Sequence, residues 1–81
     1  MKRDFQLARE FFEKAIKIDE SNVLANFELG VIHMLGLGTE KDIPTAVDYF
    51  KSAGNDAHSY NALGVIYYEA PDVFEMDPVL L

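Results

Sequence analysis

Two glycines beside a helix start can hold a phosphate on backbone amides, and Gly36-Leu37-Gly38 is the segment of this sequence that invites that reading. A phosphate loop also needs a preceding strand, a third glycine in register and a Lys-Ser or Lys-Thr pair, and none of these accompanies it. The segment therefore reads as a turn between helices. His33 and His58 are the only histidines, and neither belongs to a pair spaced for metal ligation. Fourteen carboxylates could supply acid and base groups, yet they are spread over helix ends and outer faces without a partnered nucleophile. The chain has no cysteine, which removes disulfides, thiolate metal sites and thiol nucleophiles together. No catalytic residue, cofactor-binding residue or metal ligand is expected.

The charge balance narrows the partners. Seven basic against fourteen acidic side chains give a net charge of -7, which repels nucleic acid and anionic lipid surfaces. The apolar run 62–68 is far too short to cross a bilayer, and the opening residues lack the apolar stretch of a signal peptide. No Asn is followed by Ser or Thr two residues later, so no glycan acceptor is present. With 49% hydrophobic and 26% charged residues, the chain can build both a core and a wet surface. Its 81 residues make at most one small domain, of a size that buries about 60% of the unfolded surface.

Periodicity supplies the elements. Phe5, Ala8, Phe11, Phe12, Ala15 and Ile16 recur at spacings of three and four and predict a helix over 4–18. Asp19, Glu20, Ser21 and Asn22 offer caps for a second helix through Ala25, Leu29, Ile32 and His33, ending near Gly36. Asp42 stands as the cap of a third helix with Pro44 in its first turn and Ile43, Ala46, Val47, Phe50 and Ala53 along its apolar face. Asp56 caps a fourth helix over 57–69, which Pro71 stops. No segment alternates as a strand does, so the expected class is all-α.

The chain also repeats itself. Ala8, Phe12 and Ala15 recur 38 residues later as Ala46, Phe50 and Ala53, while Leu29-Gly30-Val31-Ile32 recurs 34 residues later as Leu63-Gly64-Val65-Ile66. Periods in the thirties built from two short helices are the mark of helical solenoids. Gly30 and Gly64 would allow close helix approach, with the four alanines at the same crossings, so that Gly64→Leu is expected to cost about 1–3 kcal/mol. His33, where the second copy has Tyr67, is expected in the core.

On these residues, 23–55 resembles a full Sel-1-like repeat: Leu29-Gly30, the Gly36 and Gly38 loop, Asp42, Ala46, the Tyr49-Phe50 pair and Ala53. The stretch 1–22 resembles the second helix of a tetratricopeptide unit with its linker, 56–70 the first helix of a further repeat, and 71–81 a tail or degenerate continuation. The connection before Ala57 is about two residues shorter than the family's, and Glu69-Ala70-Pro71-Asp72 replaces the expected glycine loop. The resemblance implies a right-handed α-α superhelix of antiparallel hairpins and a scaffold that binds proteins or peptides.

In such solenoids the first helix of each repeat lines the concave surface. The resemblance thereby implies a ligand groove at Phe27, Val31 and Met34 on the second helix and Asn61, Val65 and Tyr68 on the fourth. Packing between repeats is the other reading of that stripe. The family includes the lumenal adaptor of the ubiquitin ligase of endoplasmic-reticulum-associated degradation, which would place a parent protein in the reticulum lumen. Cytoplasmic signalling or chaperone scaffolds, and non-catalytic repeat segments of larger enzymes, are the alternatives. The last residues, with Val73, Phe74, Met76, Val79, Leu80 and Leu81, are expected to cover the open edge of the fourth helix, to pair two chains by exchange, or to form a disordered stub.

Overall fold

Asp4, Asn22, Asp42 and Asp56 each stand one residue before a helix and accept a hydrogen bond from the backbone amide three residues on, at 2.9, 2.9, 3.1 and 3.0 Å. Each satisfies a donor that the first turn cannot pair internally, a contribution of about 1 kcal/mol per cap. The computed structural model describes residues 4–72, with helices α1 (Phe5–Ile18), α2 (Val23–Leu35), α3 (Ile43–Ser52) and α4 (Ala57–Glu69). At Asp42 the Thr45 hydroxyl also donates, at 2.8 Å. That side-chain bond, with the Thr45 amide, holds the Asp42 carboxyl below its ordinary range.

The helix ends follow equally local rules. Gly36 closes α2 at φ 71°, a left-handed position that suits glycine, and its amide donates to the Ile32 carbonyl at 2.9 Å. The chain then turns back so that the Asp42 amide reaches the His33 carbonyl at 2.8 Å. Among the described residues there is no strand, and the chain is an all-α helical-repeat fragment. Each helix packs chiefly on the next in sequence, and the α2–α3 contact is the most extensive. Nearest-neighbour packing of this kind is what makes a solenoid quasi-one-dimensional.

The core forms where the repeat residues meet. Leu29, Gly30, Ala46, Phe50 and Ala53 are buried, together with Ala25, Ile32, Val47 and Ile66. Ala8, Phe12 and Ala15 on α1 are only half-buried, as is Leu63 on α4. At Gly30 the expected close approach is present: a Cβ there would lie 2.5 Å from Cε1 of Phe50.

Gly64 differs from its repeat equivalent. It is exposed, and among the described residues no atom comes within 4 Å of the position its Cβ would take. Among the described residues α4 has no counterpart of α3 lying across it, so nothing described there imposes the expected cost of a larger residue at 64. What remains at that position is helix propensity, where alanine exceeds glycine by about 1 kcal/mol. Gly64→Ala should therefore raise the thermal midpoint by several degrees, as read from helical ellipticity on heating. A lowered midpoint would show that a crossing exists there after all. The tail residues Val73, Phe74, Met76, Val79, Leu80 and Leu81 lie outside the described residues.

Candidate functional site

Six residues were expected to line one stripe, and the structure divides them into two groups. On α2, Phe27, Val31 and Met34 are partly buried and pack against the cluster of Ala46, Val47, Phe50 and Ile66. The Phe27 ring centroid lies 5.9 Å from that of Phe50 and 5.8 Å from that of His58, tilted by 52° and 50°. Aromatic pairs at these separations add to area burial, so Phe27 helps to join α2 to both α3 and α4. On α4, Asn61 is exposed, Val65 is 50% exposed and Tyr68 is 88% exposed. In the described residues the α2 half of the stripe packs between successive units, and the α4 half faces solvent.

The two halves meet at one end. Met34 and Val65 both line a cleft of about 420 Å³ between the C-terminal ends of α2 and α4 and the start of α3. Leu35, Ile43, Ile66 and Ala70 complete its apolar lining, and Lys41 and Glu69 bring opposite charges to it. Such a cleft suits an apolar side chain whose neighbouring polar groups can meet one cation and one anion.

A second cavity, of about 410 Å³, lies between α1, α2 and α3, lined by Ile16, Glu20, Asn26, Thr45, Asp48, Tyr49 and Ser52. Asn26 is 2% exposed, and its amide nitrogen donates to the carbonyls of Glu20 and Asn22 at 2.9 and 3.0 Å. That residue ties the α1–α2 turn to α2, and the sequence reading passed over it. Its spacing of three, four and seven from Leu29, Gly30 and His33 was the available signal, since those positions share a helix face.

His33 is half-buried rather than fully in the core, and its ring stacks on that of Tyr49 with centroids 5.5 Å apart and planes 11° from parallel. Burial pushes the Tyr49 hydroxyl above its ordinary range, the Glu13 carboxylate pushes the same way, and Arg9 opposes them. Arg9 donates from a terminal nitrogen to the Thr39 hydroxyl at 3.3 Å. Its Nε has no hydrogen-bond partner among the described residues and sits 3.7 Å from Glu13. These groups connect α1 to the α2–α3 hairpin. Among the described residues no group of three or more His, Asp or Glu side chains could hold a metal ion, and no helix is long and apolar enough to cross a membrane.

A family model described as the Sel1 repeat matches residues 1–19 and 23–58. The chain belongs to the Sel1 repeat family. Sel1 repeats mediate protein–protein interaction, which agrees with the apolar cleft between α2 and α4. The match stops at 58, so α4 carries the Sel1-like Leu63-Gly64 pair beyond it. No curated protein and no solved structure gives a significant match to the chain.

Proposed function

We propose that this Sel1 repeat segment binds protein partners by taking an apolar side chain of a peptide segment into the cleft between α2 and α4. The observation that carries this reading is the cleft itself, in which Met34 and Val65 converge, while Tyr68 on the same helix as Val65 is exposed. Its volume of about 420 Å³ lies within the range of about 300–1,000 Å³ usual for ligand pockets. Asn61 lies on the same helix and extends the surface toward the start of α4. The narrower reading, an adaptor in a ubiquitin ligase complex of the endoplasmic reticulum, rests on the family resemblance alone.

Polar changes at Phe27 and Val31 would disturb packing as well as binding, so the test belongs on α4. Peptides selected from a displayed library against the intact chain supply the probe, with Kd read by fluorescence anisotropy. Val65→Asp should weaken them at least about tenfold, or about 1.4 kcal/mol, with helical ellipticity unchanged. If Val65→Asp binds as the intact chain does while Glu10→Ala or Glu13→Ala loses binding, the cleft is not the site.

A further inference from the structure

We propose that the cavity between α1, α2 and α3 binds the ammonium group of a lysine side chain carried by a protein partner. Asn26 is 2% exposed and lines that cavity. Its Nδ2 donates to the carbonyls of Glu20 and Asn22, and two carbonyl partners fix which edge of the amide bears the nitrogen. Oδ1, on the other edge, has no donor among the described residues. Nor is it sealed in, because among those residues the side-chain polar atom that is both fully buried and without a partner is Arg9 Nε. The open space that Oδ1 faces is therefore the cavity. A buried carbonyl oxygen without a donor is costly, and a guest that supplies one is favoured there.

The other lining groups suit the same guest. Glu20 and Asp48 bring carboxylates, which only accept. Thr45 gives its hydroxyl hydrogen to Asp42, so its oxygen is also left as an acceptor. No Lys or Arg lines the cavity, and no group of three or more His, Asp or Glu among the described residues could hold a metal ion. A cation that only donates is the complement of such a lining. The acceptors come from three elements: Glu20 from the α1–α2 turn, Asn26 from α2, and Thr45 and Asp48 from α3. That arrangement suits the three diverging donors of an ammonium, whereas the planar fork of a guanidinium matches a single carboxylate. Ile16 and the Tyr49 ring supply apolar wall for the methylene stem. The net charge of -7 draws basic segments toward the chain. The cavity shares no lining residue with the cleft between α2 and α4, so this site does not depend on the peptide reading of that cleft.

The probe is a capped pentapeptide with one central lysine, titrated to millimolar concentration into the intact isotope-labelled chain while its amide resonances are followed by NMR. The Asn26 side-chain amide, Asp48 and Ser52 should shift together and saturate, and binding should weaken as salt is raised. The same peptide with norleucine in place of lysine should leave them unmoved. Asp48→Asn and Glu20→Gln should each raise Kd at least about threefold with helical ellipticity unchanged, since both side chains are exposed. Val65→Asp, which alters the other cleft, should bind the lysine peptide as the intact chain does. A norleucine peptide that shifts the same resonances equally overturns the proposal, and so does a chain carrying both Glu20→Gln and Asp48→Asn that binds as the intact chain does. An arginine peptide that binds more tightly than the lysine peptide overturns the assignment to an ammonium. No saturable shift with the lysine peptide overturns the site altogether and leaves solvent as the sole occupant of the cavity.

Discussion

Phe50→Ala is expected to leave the chain largely unfolded at room temperature. The ring is fully buried, it packs against the Phe27 ring at 5.9 Å, and it belongs to the cluster that joins α2, α3 and α4. Truncating a buried phenylalanine removes its transfer free energy and leaves a cavity, at a typical cost of about 3–5 kcal/mol. An 81-residue solenoid fragment has little stability in reserve, because a small chain buries proportionally less surface. Urea titration followed by helical ellipticity should show the folded baseline shortened or absent. The exposed Phe11 is the control, and Phe11→Ala should move the midpoint little. Equal effects at the two positions would mean that Phe50 is not the centre of the core.

Gly30→Leu should be nearly as severe, for the opposite reason. A Cβ at 30 already falls 2.5, 2.6 and 2.8 Å from three carbons of the Phe50 ring, and that ring has no free space to swing into because it is fully buried. Overpacking costs about 1–3 kcal/mol, and the branched side chain of leucine places the penalty at the upper end. Even Gly30→Ala should destabilise, although alanine is the better helix former by about 1 kcal/mol. The contrast with Gly64→Ala is the informative comparison, since the same substitution at the repeat-equivalent site should stabilise. A double-mutant cycle settles the mechanism: Gly30→Ala should be less costly in a Phe50→Leu background, because the ring is the atom group it meets. Additive effects would show that the strain lies elsewhere.

The four helices were legible in the sequence because each boundary is written locally. Asp4, Asn22, Asp42 and Asp56 cap, Gly36 and Pro71 stop, and the apolar spacing runs between them. The repeat was legible for the same reason, as residue types recur at fixed offsets. What the sequence could not show is which copy of a repeated residue finds its partner. Gly30 and Gly64 carry the same local pattern, yet only Gly30 has a helix of the α3 kind lying across it in the described residues. The stripe of Phe27, Val31, Met34, Asn61, Val65 and Tyr68 was legible as a stripe, but its burial depends on which neighbour each helix has, a tertiary fact. Asn26 was passed over because a polar residue on an apolar face declares its burial only once the α1–α2 turn brings the Glu20 and Asn22 carbonyls to it.

The two glycine turns differ in what surrounds them, and that difference fixes where the chain can change length. Gly38, in the α2–α3 connection, is pressed onto the start of α1: a Cβ there would stand 2.9 Å from the Gln6 amide nitrogen and 3.0 Å from Cβ of Phe5. Gly54, in the α3–α4 connection, has nothing among the described residues within 4 Å on that side. Both take positive φ, at 68° and 74°, so the contrast is one of surroundings rather than of backbone shape. Extra residues at 38 would pry the hairpin off α1, whereas residues added at 54 would loop into solvent at the small entropic cost of a longer connection. Insertions and reporter tags belong at 54, and divergence in length between related chains should accumulate there first.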